Sequence, residues 1–241
     1  MRKLILGVGF DDVTAQQAVN RAFTVIERRE KAYIVTPNPE IVWVARRDEG
    51  VRNVLNGAEL VLPDGIGVIM AAKILGTPLR ERVPGIDFAA LLFDKMSQHD
   101  KSVFLFGAKP GIAEEAAQKL AAAYPGLVVS GVMDGYTKND DLTIERINSA
   151  KPDLLLVCLG APRQELWIAA NLDKLDVGLC VGLGGALDVY AGAVKRAPVF
   201  FRKLGLEWFY RLIREPRRIK RMIKLPLFIL VVIFKRIRGS R

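Results

Sequence analysis

Short apolar runs recur along the chain, separated by segments with helical spacing. The runs are Leu4–Val8, Tyr33–Val35, Leu60–Leu62, Ser102–Phe106, Val128–Val132, Leu154–Leu159 and Val177–Val181. Between most of them lie Ala15–Arg29, Glu40–Arg46, Ile66–Leu75, Ile86–Gln98, Ile112–Tyr124, Leu142–Ser149 and Gln164–Ala170, which read as helices. Strands that are apolar throughout need cover on both faces, and a helix after each strand supplies it. The pattern predicts an α/β fold with a mostly parallel sheet and helices on both faces. In open sheets of this kind ligands bind beyond the carboxyl ends of the strands, so chemistry is expected in the loops that leave them.

The pattern changes near residue 195. From Lys195 to the end there are fifteen Lys or Arg and two Asp or Glu, a local charge of +13; the rest of the chain carries −3. Residues 1–194 are therefore expected to form a globular core, catalytic if the loops below carry chemistry, and 195–241 a basic appendage. Trp208, Phe209, Leu212 and Ile213 make an apolar stripe near helical spacing, with Arg211, Arg214, Arg217, Arg218 and Arg221 around it. Leu225–Phe234 is then wholly apolar between Lys224 and Lys235. A helix of that length is too short to span a bilayer, yet the run is costly to leave in water. Together these features predict an amphipathic, helical segment that lies on an anionic membrane surface. A nucleic acid is the other anionic partner for such a tail; the apolar run favours lipid.

Composition narrows the remaining classes. With 51% hydrophobic residues the chain has material for a sizeable core. Cys158 and Cys180 lie in apolar runs and read as buried thiols in a reducing compartment. The opening MRKLILGVGFDD faintly resembles a leader, but its apolar stretch is short and runs into two aspartates, so a first strand is expected. No stretch reaches the roughly 18 apolar residues of a spanning helix.

Several loops carry candidate chemistry. In TPNPE, Asn38 is a natural helix cap; alternatively the Pro-Asn-Pro bend aims Thr36 and Asn38 at a ligand. In LPDGIG, Asp64 is a turn residue or a carboxylate held at a strand end to accept a proton. Arg82, before Val-Pro-Gly, is a solvated charge or an anion clamp. FLFGAKPG (Gly107), CLGAPRQELW (Arg163, Gln164) and CVGLGGALDVYAG (Gly184, Gly185, Asp188) are Gly-rich strand-to-helix turns. Each serves either tight helix–sheet packing or close approach of a ligand to the backbone. No Asp-x-Asp occurs, and His99 is the lone histidine, in a polar stretch. Histidine-based hydrolysis and His metal sites lose support accordingly. Neither Gly7-Val8-Gly9 nor Gly182-Leu183-Gly184 sits in a full dinucleotide fingerprint, which weakens a nicotinamide dehydrogenase.

TPNPE, LPDGIGV, RVPGIDF, FLFGAKPG, GAPRQE and GGALDVYAG occur in that order, followed by the stretch from Arg196 to Arg218 containing GLEWFYRLIREPRR. The ordered set covers essentially the whole chain and closely resembles the WecG/TagA/CpsF family of bacterial glycosyltransferases. The resemblance implies a Rossmann-like core with a C-terminal appendage that helps complete the site. It implies inverting transfer of N-acetylmannosamine from its UDP donor to polyprenyl-diphosphate-linked N-acetylglucosamine, at the cytoplasmic membrane face. The product is a β-1,4 disaccharide lipid, in one branch the linkage unit of wall teichoic acid; other branches use other sugars, such as the uronic acid of N-acetylmannosamine.

By the same resemblance Asp64 matches the catalytic base. Thr36 and Asn38 match polar site residues, while Arg82 and Gln164, with Arg163 beside them, match groups around the donor sugar or diphosphate. Tyr136 and Asp188 lie toward the uridine. Gly107, Gly184 and Gly185 belong to the substrate-binding turns. Arg214 and Arg221 are the tail arginines expected to neutralise the leaving diphosphate. No metal and no cofactor are expected, no nucleic acid partner, and a homo-oligomer is an open possibility.

Overall fold

A computed structural model of the chain describes residues 2–214, 216, 219 and 223–238. Its centre is a six-stranded parallel sheet of β3 (Ala32–Val35), β4 (Leu60–Val61), β5 (Ser102–Gly107), β6 (Val128–Met133), β7 (Leu154–Cys158) and β8 (Leu179–Gly182). The strands lie in the order β4-β3-β8-β7-β5-β6. In register, Ile34 sits between Leu60 and Val181, and Val35 between Val61 and Gly182.

Alternate residues of each strand feed two separate cores, as the period of two requires. Val35, Val61, Phe104, Phe106, Leu155, Val157 and Cys180 face one side. There they meet α2 (Pro39–Ala45), α3 (Glu49–Gly57), α4 (Ile66–Ile74), α7 (Asp140–Ala150) and α8 (Arg163–Asn171). Ile34, Leu60, Val103, Leu105, Leu154, Leu156, Leu179 and Val181 face the other. Their cover is α1 (Ala15–Arg28), α5 (Gly85–Ser97), α6 (Ile112–Ala123) and α9 (Ala186–Tyr190). The expected parallel sheet with helices on both faces is what the chain forms.

The amino terminus departs from expectation. The run Leu4–Val8 is not one strand but the turn of an antiparallel hairpin, β1 (Arg2–Ile5) and β2 (Val8–Asp11). Leu6 and Gly7 both have positive φ, 49° and 96°, the backbone of a tight two-residue hairpin turn. Side chains dock this hairpin beside β4. Asp11 Oδ2 accepts from the Val61 N–H at 2.8 Å, and Asn56 bonds Gly7 and Gly9 across the gap. Helix α3 was also not anticipated; Asp48 caps it by accepting from the Val51 N–H at 3.0 Å.

The C-terminal region adds α10 (Val199–Lys203), α11 (Glu207–Arg214) and α12 (Lys224–Arg238). The apolar run does become helical, and it docks. Phe228 and Val232 are fully buried in the core shared with α2 and α4. Burial of each is worth about 1.5–3 kcal/mol. Helix α12 runs alongside α4 in the same direction. Leu225 lies over Gly67, and near the other end the Arg236 guanidinium reaches Gly76 and the Leu75 carbonyl. Leu227, Leu230, Phe234 and Ile237 form a second apolar stripe on the opposite face of α12, and all are exposed. No helix among the described residues is long and apolar enough to cross a membrane.

Candidate active site

The loops leaving the strands gather two groups of candidate residues and a connection between them. The first lies at the ends of β3 and β4. The Asp64 N–H donates to the Pro37 carbonyl at 3.3 Å, which ties the Pro-Asp-Gly turn to the Thr-Pro-Asn-Pro bend. Asn38 caps α2: its Oδ1 accepts from the N–H groups of Glu40 at 2.9 Å and Ile41 at 3.2 Å. The cap uses only the side-chain oxygen of Asn38, which is exposed. Thr36 is half-buried and donates from Oγ1 to the Gly182 carbonyl at 3.4 Å. Helix α5 enters against it at Gly85, where a Cβ would stand 3.0 Å from Thr36 Oγ1 and 2.5 Å from Leu183 Cδ2. Asp64 is half-buried just before α4, whose N-cap, Gly65, has φ +85° and no side-chain hydrogen bond.

The C-terminal region closes over this group. Arg82 is half-buried and donates from Nη2 to the carbonyl of Arg202, in α10, at 3.1 Å. Gly205 packs on Ile66, two residues after Asp64. Arg196 pairs with Asp87 of α5 at 2.6 Å and approaches Glu207 of α11 at 4.0 Å, fastening the connector to the body.

The second group lines a cleft of about 510 Å³ beyond β5, β6 and β7. Tyr136, Arg163 and Asp188 meet there, as do Lys109 and Lys138. Tyr136 is 64% exposed, and its N–H is held by Asp134 Oδ1 at 2.8 Å. Gly107, with φ +132°, turns the chain hard against the Cys158 carbonyl and so opens the cleft beside β7. The two lysines were missed in the sequence. The signals were the Lys-Pro-Gly at the head of α6 and the basic residue in Tyr-Thr-Lys-Asn.

Between the groups lie the ends of β7 and β8. Gln164 is 3% exposed there. Its Oε1 accepts from the N–H groups of Gly160 at 3.2 Å and Gly184 at 2.7 Å. Gly184 has φ +49°, and the exposed Gly185 starts α9 without a side-chain cap. From β5 to β4 is four strand spacings, about 19 Å at 4.8 Å each. The arrangement suits an elongated ligand, with its anionic part at the basic cleft and its far end at a carboxylate.

A model of the glycosyl transferase WecG/TagA/CpsF family matches residues 3–241. The chain belongs to this family. It is 39% identical over 210 residues to a Bacillus spizizenii protein named N-acetylglucosaminyldiphosphoundecaprenol N-acetyl-beta-D-mannosaminyltransferase, covering 87% of this chain and 82% of the relative. Proteins of the same name from Bacillus subtilis and Staphylococcus aureus are 38% and 36% identical, covering 86% and 93% of this chain and 81% and 89% of the relatives.

Two tail arginines that the family resemblance implied, and the lone histidine, remain to be placed. Arg214 is exposed at the end of α11, and Arg221 lies outside the described residues. His99 is exposed and packs on the Phe23 ring at 4.8 Å. Among the described residues no three His, Cys, Asp or Glu side chains cluster in a way that could hold a metal ion.

The cysteines make a prediction for this family member. Burial pushes both thiols from an ordinary 9.0 up to about 12. Unfolded thiols ionise first as pH rises, so the stability present below pH 9 is lost progressively between about 9 and 12. Half-buried Tyr190, also raised by desolvation of its hydroxyl, acts in the same direction. Denaturant unfolding should show a falling midpoint over that range, with a shallower fall in Cys158→Ala/Cys180→Ala. An identical fall in the double variant would assign it to other groups.

Proposed function

We propose that the protein transfers N-acetylmannosamine from UDP-N-acetylmannosamine to polyprenyl-diphosphate-linked N-acetylglucosamine. The product is the β-1,4 disaccharide lipid of the wall teichoic acid linkage unit, made at the inner face of the cell membrane. The observation that carries this reading is the layout of the strand ends: a basic cleft at one end, and Asp64 beside Thr36 and Asn38 at the other. The names of the relatives, which specify an N-acetylmannosaminyl transfer to a diphosphoundecaprenol-linked sugar, support the same donor sugar and acceptor.

Uridine occupies the cleft between Tyr136, Arg163 and Asp188. The diphosphate runs from the basic side chains of that cleft to the Gly184–Gly185 turn, and the sugar reaches Thr36. An α-linked donor giving a β product requires attack from the opposite face, with a base taking the proton of the acceptor hydroxyl. Asp64 is that base: its carboxylate receives the proton as the acceptor oxygen bonds to the anomeric carbon and the bond to UDP breaks. The negative charge on the departing UDP falls to Arg163, Lys109, Lys138 and backbone N–H groups, with the tail arginines, Arg214 and Arg221 first among them, joining from above. Arg82 braces the C-terminal region over the acceptor.

The test is direct. Full-length protein, UDP-N-acetylmannosamine and a short-chain lipid-diphosphate-N-acetylglucosamine are incubated with EDTA, and UDP release and product mass are followed. Release of UDP with a lipid one N-acetylhexosamine heavier is expected. Transfer only from another UDP-sugar, such as the uronic acid, would reassign the donor within the same chemistry. Activity that appears only after a divalent ion is restored would remove the metal-free step.

A further inference from the structure

Gln164 and Glu165 are adjacent, both 3% exposed, and bonded to each other: Gln164 Nε2 donates to Glu165 Oε1 at 2.8 Å. The other carboxyl oxygen of Glu165 is buried without a hydrogen-bond partner. A carboxyl group is expensive to keep in such a place, and an apolar residue would fill it more cheaply. Its retention calls for a reason, and the amide beside it provides one.

The two backbone N–H groups on one side of the Gln164 amide, from Gly160 and Gly184, both need an acceptor. Only the oxygen can face them, so the nitrogen must face the other way, toward Glu165. The amide also lies flat across the end of β8. A Cβ on Gly182 would stand 3.0 Å from Gln164 Nε2 and 3.3 Å from Cδ, closer than the amide allows without moving. The carbonyl of Gly182 in turn accepts from Thr36 Oγ1. One side chain thus links the turns after β7 and β8 to the Thr36 bend, and Glu165 satisfies its nitrogen from below. Without that acceptor the amide has a buried donor with no partner, and it gains by swinging out and releasing Gly160 and Gly184.

We infer that Glu165 is a positioning residue for sugar transfer, acting through Gln164 to hold the Gly160 and Gly184 turns in the shape that receives the donor's diphosphate and sugar. This rests on the transferase reading above. It also gives Gln164 a different duty from a direct contact with substrate, because its oxygen is already engaged by the protein. Burial holds the Glu165 carboxyl above its ordinary range, while the bond from Gln164 opposes the shift. A neutral group of the same shape therefore suits the position, and E165Q keeps the acceptor oxygen.

The experiment compares E165M, E165Q, Q164M, Q164M/E165M and G182A in full-length protein, with vesicles carrying the lipid-linked acceptor. E165M should lower kcat about ten- to a hundredfold, the scale of a small misplacement at a reacting centre, with a much smaller change in KM for UDP-N-acetylmannosamine. E165Q should recover most of that loss. In the Q164M background, E165M should cost nothing further, because its route to the site is already cut. G182A pushes the same amide from the opposite side with Glu165 intact, and should lower kcat in the same way.

Wild-type kcat in E165M or G182A would overturn the inference. So would additive losses in the double variant, or an E165Q as impaired as E165M. If E165M does not fold, G182A and E165Q still decide the question. Absence of transfer by the wild-type chain would instead remove the reading of the function. The side-chain amide signal of Gln164, identified by its loss in Q164M, then decides the inference alone: exchange protection in wild type and E165Q, lost in E165M, supports it, and equal protection in all three overturns it.

Discussion

Asp64→Asn should abolish sugar transfer while UDP still binds. The substitution keeps the shape of the side chain and removes its ability to accept a proton at neutral pH. General-base catalysis is commonly worth about 10²–10⁴ in rate, so kcat should fall by at least two orders of magnitude. The fold should survive, because the tie between the Asp64 turn and the Pro37 bend runs through the backbone N–H, which asparagine retains. The cleft proposed for the nucleotide lies beyond β5, β6 and β7, several strands away. Calorimetric UDP binding should therefore stay within a few-fold of wild type. Unchanged turnover in this variant would end the assignment of Asp64 as the base. Lost UDP binding would show that the turn shapes the donor site and not only the proton transfer.

The second large effect belongs to α12. Replacing Leu230, Phe234 and Ile237 with Glu should release the protein from anionic vesicles while leaving its melting temperature nearly unchanged. These side chains are 52%, 64% and 58% exposed on the face away from the body, so nothing inside depends on them. Each would contribute a large part of the roughly 1.5–3 kcal/mol of a buried apolar side chain on entering the interface. Three acidic replacements beside an anionic leaflet should weaken partitioning by well over tenfold. Added salt should weaken the wild type too, through Lys224, Lys235 and Arg238.

Phe228→Ala makes the contrasting control. That side chain is fully buried, and its loss should cost about 3–5 kcal/mol of stability. Vesicle binding unchanged in the triple variant would mean that the stripe is not the anchor. A wild type that dimerises without vesicles, against a monomeric triple variant, would assign the stripe to a second copy of the chain.

Much of this was legible in the sequence because parallel strands announce themselves by continuous apolar runs, and the loops after them fall at one edge by topology. Tyr136, Arg163 and Asp188 come from distant parts of the chain and still meet in one cleft for that reason. The Thr-Pro-Asn-Pro bend had two readings, and of these the helix cap is made, through the Asn38 oxygen. Other features needed three dimensions. A run such as Leu4–Val8 holds enough apolar residues for a strand, and nothing local says that Leu6 will take a left-handed backbone and fold it back. The ten apolar residues of Leu225–Phe234 gave a helix, but not that Phe228 and Val232 face the body while the opposite stripe faces out. The bond between Gln164 and Glu165 was invisible for a plainer reason: glutamate at the start of a helix is ordinary, and its burial follows only from the packing of α8 on the sheet.

The alignment of α12 with α4 sets a height. With the outer stripe of α12 resting on a bilayer, α2 and α4 would lie on its far side, their axes about 8–10 Å from that of α12. Asp64 lies at the head of α4, beside the start of α12. The proposed base would then be held at a fixed clearance from the lipid, suited to a sugar close to its carrier. A glycan already extended carries its growing end above that plane, out of reach. On the proposed reading this geometry would work as a ruler: transfer would be limited to the first sugar on the carrier, and the product would withdraw its new terminus from the site.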